Sequence, residues 1–168
     1  VLAERKPDER VEPASITKLM TAYAVFDALR AGKLKLNDPV TISERAWKAE
    51  GSRTFVNVGT QVSAEVLIQG MIVQSGNDAT IALAERVGGT EETFASLMNE
   101  YAKRLGMKNS HFENSTGLPS PTHYMSARDI ATLSSAIVRE FPAYYRWYSQ
   151  REFTWNKIRQ ANRNGLLD

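Results

Sequence analysis

Pro13-Ala14-Ser15-Ile16-Thr17-Lys18-Leu19-Met20-Thr21 opens the clearest helix signal in the chain. Ile16, Leu19, Met20, Tyr23, Phe26, Ala28 and Leu29 recur at three- and four-residue intervals, and Gly32 stops the run. So broad an apolar stripe predicts a core-facing helix. At its start Ser15 and Lys18 stand three apart, sharing one face with Cβ atoms roughly 5–6 Å apart. A buried amine with a lowered pKa can take the hydroxyl proton without any histidine. The first N–H groups of the helix would face a developing oxyanion. The plain alternative is a first-turn serine cap beside a solvated lysine, since this spacing arises by chance about once in a chain of such length.

A second element lies downstream. Ala64 to Val73 reads as an apolar helix, Gln74-Ser75-Gly76-Asn77 breaks it, and Asp78 can cap a further helix, Ala79 to Val87, ended by Gly88-Gly89. A turn in this position presents side chains instead of packing them. Ser75 could relay a proton and Asn77 could hold a substrate amide. It could equally be a helix-linking turn with Asn77 or Asp78 as cap. Ser-x-x-Lys and Ser-x-Asn each occur once, in the order that serine acyl-transferases with a lysine base require.

Around these motifs the pattern is helical. Leu34 to Ile42 is a connection with a turn at Asn37-Asp38-Pro39, Ser43 to Ala49 a short helix, and Gly51 to Gly59 an irregular excursion expected to rim the site. Thr90 caps Glu91 to Leu105, Lys108 to Tyr124 is a long loop, and Ser126-Ala127-Arg128-Asp129 resembles a capping box before Ile130 to Val138. Strand signals occur only near the ends, with Asn162 to Gly165 as a turn between Glu152-to-Trp155 and Leu166-Leu167. Tyr144, Tyr145, Trp147 and Tyr148 read as packing at a helix end. His123, in the long loop, reads as solvated, and Lys157, Arg159 and Arg163 as a solvated strand edge.

The chain has 168 residues, 42% apolar and 24% charged, which suits one globular domain or a large piece of one. Its 21 basic and 19 acidic residues leave a net charge of +2, too weak to argue for nucleic acid as a partner. No 18-residue apolar run spans a bilayer. The absence of cysteine excludes disulfides and thiol nucleophiles. Two histidines without HExxH spacing, and no carboxylate cluster, give no reason to expect a metal or other cofactor.

The stretches Pro13 to Thr21 and Ile72-Val73-Gln74-Ser75-Gly76-Asn77-Asp78-Ala79 resemble the first two active-site motifs of the serine D-alanyl-D-alanine carboxypeptidases, the low-molecular-mass penicillin-binding proteins. The resemblance continues through Tyr101 to Met107, Ser126 to Asp129 and Phe153 to Gln160. It implies an α+β fold of the serine β-lactamase and DD-peptidase type, here a helix-rich fragment lacking most of the central antiparallel sheet. It also implies roles. Ser15 would attack the carbonyl between the terminal D-alanines of a peptidoglycan stem pentapeptide, with Lys18 as base. Ser75 would pass the proton to the leaving D-alanine, Asn77 would hold the substrate amide, and β-lactams would acylate the same serine. The working place would be the bacterial cell envelope, on the periplasmic or outer face of the membrane, with membrane association only through segments outside this chain.

The family's third motif, Lys-Thr-Gly or Lys-Ser-Gly on a strand, has no counterpart here. Residues 1–168 are therefore expected to form a partial catalytic domain, truncated at both ends, poorly active and unstable alone. Two other readings stay open. A related serine β-lactamase of class A would carry Ser-Asp-Asn and Glu-x-x-Leu-Asn, and this chain has Gly76 and no such segment. A noncatalytic helical binding module would keep the scaffold without forming a covalent adduct.

Overall fold

The computed structural model describes residues 1–167. A 3-10 turn, Ala14–Thr17, runs directly into α1 (Lys18–Arg30). Then follow β1 (Pro39–Thr41), α2 (Glu44–Trp47), β2 (Gln61–Ser63), α3 (Ala64–Gln74), α4 (Asn77–Gly88), α5 (Glu91–Arg104), α6 (Ala127–Glu140), α7 (Pro142–Tyr145), β3 (Glu152–Trp155) and β4 (Ile158–Ala161). No helix among the described residues is long and apolar enough to cross a membrane.

The helix predicted from Ile16 onward is the axis of the core. Met20, Ala22, Ala24, Val25 and Phe26 are all fully buried, so α1 is enclosed on nearly every side. It packs against α3, α4, α5 and α6. The alanines on it and on α4 (Ala79, Ala82, Ala84) let the helices approach closely. Phe26 meets Phe141, Tyr144 and Trp147, with Tyr144 stacked on Trp147 at 5.4 Å. The aromatic group after Pro142 is thus packing, as expected, except that Tyr145 remains exposed.

Two caps were legible, Thr90 and Ser126, and Ser63 caps α3 as well; each accepts a backbone N–H from the first turn of the helix it precedes. Only half of the capping box at Ser126 forms. The Asp129 carboxylate turns away to accept from Asn109 N (2.8 Å) and Ser110 Oγ (2.7 Å), tying α6 to the long loop. Asp78 is not the cap of α4 either; Gly76 occupies that position.

The strand expectations need two corrections. β1 and β2 pair antiparallel in the first half of the chain, with buried Val40 opposite buried Val62. At three residues each they are too short to show alternation in sequence. At the far end the hairpin turn is Asn156-Lys157, both at positive φ, so β3 pairs with β4. Leu166-Leu167 lies in a 3-10 turn (Gly165–Leu167) where a strand was expected. Asp168, the last residue of that expected strand, lies outside the described residues. The two-stranded β3–β4 sheet packs on α3, leaving a helix-rich α+β body.

Candidate active site

Lys18 is 6% exposed, and its Nζ donates to Ser15 Oγ at 3.1 Å and to the Thr116 carbonyl at 2.9 Å. Burial pushes its pKa down to about 8, and the charge of Arg163 acts in the same direction. The solvated-lysine alternative is therefore wrong. Ser15 itself is exposed, on the 3-10 turn, between a buried base and open solvent.

Two cavities meet at Ser15. One, of about 150 Å³, is lined by Ser15, Lys18, Leu19, Met71, Ile72, Ser75 and Tyr148. The other, of about 210 Å³, runs from Ser15 and Asn77 to Thr116, Gly117 and His123. All four residues singled out in the sequence, Ser15, Lys18, Ser75 and Asn77, thus line these joined spaces.

α3 ends because Ser75 turns into the left-handed region (φ 60°, ψ 36°), and Gly76 N–H reaches back to the Gly70 carbonyl at 3.1 Å. Ser75 Oγ is buried without a hydrogen-bond partner. Asn77 donates from Nδ2 to the Glu50 carbonyl at 2.6 Å, while its Oδ1 is buried and unpartnered. Such atoms are costly to leave unmade, and both belong to residues that line the spaces beside Ser15.

The segment 51–59 was expected to rim the site. It lines neither cavity and serves as a buttress behind the second motif. Ser52 O accepts from Asn77 N at 2.7 Å. The Asp78 carboxylate takes the N–H groups of Thr54 (2.7 Å), Phe55 (2.9 Å) and Val56 (3.2 Å), and also Ala79 N–H (2.8 Å). This clamp explains the glycine between Ser75 and Asn77. A Cβ on Gly76 would stand 2.1 Å from Thr54 Oγ1 and 2.9 Å from Thr54 N.

The opposite wall is the loop 113–118, which sequence reasoning left without a role. Asn114 Oδ1 accepts from Gly117 N–H at 2.8 Å, and its Nδ2 donates to the Leu118 carbonyl at 2.9 Å. Glu91, buried and paired with Arg45 at 2.8 Å, accepts from Ser115 Oγ at 2.8 Å. Gly117 approaches so closely that a Cβ would fall 1.8 Å from the Ala14 carbonyl. Thr116, whose carbonyl steadies Lys18, was missed because a backbone acceptor leaves no trace in residue type. His123 corrects a further expectation. It is 3% exposed, not solvated, with Nε2 2.8 Å from Thr17 Oγ1 and Nδ1 accepting from Glu113 N–H at 2.9 Å. Arg163 is exposed, as expected, but it lies past β4 and is not on a strand edge. It bonds Val73 O through its backbone and Ser52 Oγ through its guanidinium.

A protein-family model described as D-alanyl-D-alanine carboxypeptidase matches residues 1–168. The chain is 48% identical over 170 residues to the D-alanyl-D-alanine carboxypeptidase DacA of Haemophilus influenzae, covering 99% of this chain and 43% of that protein. It is 49% identical over 173 residues to DacC of Escherichia coli, with the same coverage. Among solved structures, penicillin binding protein 5 from Haemophilus influenzae superposes with a TM-score of 0.96 at 47% identity, over 99% of this chain and 49% of that one. The chain thus spans less than half the length of the curated relatives it matches.

Proposed function

Because the chain belongs to the D-alanyl-D-alanine carboxypeptidase family, we propose that it removes the terminal D-alanine from peptidoglycan stem peptides through an acyl-enzyme on Ser15. The observation that carries this reading is the Ser15–Lys18 pair, an exposed hydroxyl 3.1 Å from a buried amine with a pKa of about 8. Neutral Lys18 takes the Ser15 proton as Oγ adds to the carbonyl carbon. The proton then passes through Ser75 Oγ to the nitrogen of the departing D-alanine, and the C–N bond breaks. Asn77, which lines the cavity and whose Oδ1 has no partner, accepts an N–H of the substrate. Water then attacks the ester, with Lys18 again receiving the proton and returning it to Ser15 Oγ as the C–O bond breaks. No metal or other cofactor enters these steps.

A β-lactam presents a strained amide to the same hydroxyl and acylates it in the same way. Substrates of this kind lie outside the cytoplasmic membrane, which assigns the enzyme to the bacterial cell envelope. The test is intact-protein mass spectrometry after incubation with benzylpenicillin, beside a Ser15→Ala control. One added penicillin mass, absent in the control, is expected. An adduct that persists in Ser15→Ala, or none in either protein, refutes the assignment.

A further inference from the structure

His123 is a buried titratable side chain at the Ser15 cavity that the proposed chemistry leaves unused. Its ring stands edge-on to Phe112, with centroids 5.6 Å apart, and both of its nitrogens are engaged. The Glu113 N–H points at Nδ1, so Nδ1 must present a lone pair. The neutral ring therefore carries its proton on Nε2 and donates it to Thr17 Oγ1, 2.8 Å away. Thr17 sits between Ser15 and Lys18. Glu113 begins the loop whose Thr116 carbonyl holds Lys18. One imidazole thus joins the segment that carries nucleophile and base to the loop that steadies the base.

The geometry points to His123 as a positioning residue: its neutral Nε2–H form clips the Ser15–Lys18 segment to the 113–123 loop, and protonation of Nδ1 opens the clip and switches acylation off. The proposal rests on the serine-acylation reading above. A proton on Nδ1 would face the Glu113 N–H donor to donor, and that hydrogen bond would be lost. Among the charged groups around the ring, Glu113 favours protonation and His111 opposes it. Glu12 lies across the cavity, and Lys18 follows Thr17 on the clipped segment. Burial is the largest influence and holds His123 below its ordinary 6.5, so the clip is closed at neutral pH and opens in acid.

The test is the second-order rate of acylation by a fluorescent penicillin between pH 5 and 8, in the wild-type protein and in His123→Gln. The carbonyl and amide of glutamine are spaced like the two ring nitrogens, so Gln can accept from Glu113 and donate to Thr17 without titrating. Titration of Lys18 alone lowers the rate about tenfold per pH unit below about 8. In the wild type a second proton steepens this to about a hundredfold per unit in the acid range, and His123→Gln keeps the tenfold slope with a neutral-pH rate within about threefold. A purely structural histidine would lower thermal stability when replaced and leave the slope alone. The ¹⁵N spectrum of the wild-type imidazole is expected to show the Nε2–H tautomer. A labelled wild type whose slope His123→Gln reproduces, or an Nδ1–H tautomer, overturns the switch alone. A wild type with the Nε2–H tautomer that takes no penicillin at any pH overturns the acylation reading, and the switch with it.

Discussion

The sharpest consequence of the site is a pH dependence set by Lys18. With a pKa of about 8 against 10.5 for a free side chain, roughly one fifth of the amine is neutral at pH 7.4, where an ordinary lysine would be about one part in a thousand. The buried position thus enriches the competent base by roughly 250-fold. The acylation rate should rise about tenfold per pH unit up to pH 8 and then level off. Arg163→Gln removes the positive charge that helps hold Lys18 down, so the midpoint should move upward, towards 10.5. The assay is the apparent second-order rate of labelling by a fluorescent penicillin from pH 6.5 to 10. A flat profile, or a midpoint near 10.5 in the wild type, would refute a neutral-lysine base.

The same residue makes a stability prediction with a definite sign. The interval from about 8 to 10.5 corresponds to about 3 kcal/mol of preference for the neutral amine in the fold. Below pH 8 the fold carries that whole penalty, because the unfolded chain binds the proton more readily. Unfolding free energy should therefore rise between pH 8 and 10.5. Lys18→Met keeps the length and removes the charge, so it should abolish this rise. It also orphans the Thr116 carbonyl, at about 1–3 kcal/mol, so its net effect at pH 7 is small. A wild-type stability curve without that slope would show that Lys18 is solvated after all.

Three further substitutions probe the second motif and the loop opposite. Ser75→Gly should stabilise the fold by about 1 kcal/mol, since a left-handed φ of 60° strains any residue with a Cβ, while penicillin labelling slows at least tenfold; unchanged labelling would remove Ser75 from the proton path. Gly76→Ala should destabilise by about 1–3 kcal/mol through overlap with Thr54, and Thr54→Ala should recover part of this, so additive losses in a urea denaturation cycle would contradict the packing argument. Glu91→Gln weakens the Arg45 pairing and the grip on Ser115, and about 2 kcal/mol of stability should go with it. Labelling at pH 7.4 should also fall, through Thr116, and a stable variant with unchanged labelling would uncouple that loop from Lys18.

What the sequence made legible follows from periodicity and caps. The long helices, Thr90 and Ser126 as caps, and the two short motifs all announce themselves through residue type at fixed spacing. The corrections come from groups whose partners are far away in the chain. Asp78 looks like a cap because it begins an apolar run, yet its carboxylate is spent on backbone N–H groups more than twenty residues earlier. His123 looks solvated because its neighbours are Pro, Ser and Thr, yet the loop folds over Phe112 and delivers the ring to Thr17. β1 and β2 are pinned by one valine pair, too little for any alternation to register. The residue types of the proposed site were readable because chemistry restricts them. Their supports were not, since a carbonyl such as that of Thr116 can come from any residue.

Two buried polar atoms without partners and one left-handed residue meet at the second motif, and its surroundings over-determine them. Ser75 holds a left-handed conformation, and Ser75 Oγ and Asn77 Oδ1 lack partners, a combination a free turn would relax. It cannot relax here. Gly76 is wedged against Thr54, Asn77 is held through both its backbone N–H and its Nδ2, and Asp78 clamps the segment that carries Thr54. Each restraint acts on a neighbour of the reacting atoms, none on Ser75 Oγ itself, so the hydroxyl is fixed in place and free to exchange a proton. The prediction that Ser75→Gly gains stability and loses activity is the direct expression of this division. Stability at this motif resides in Thr54 and Asp78, and in the proposed mechanism the strain they hold readies Ser75 for chemistry.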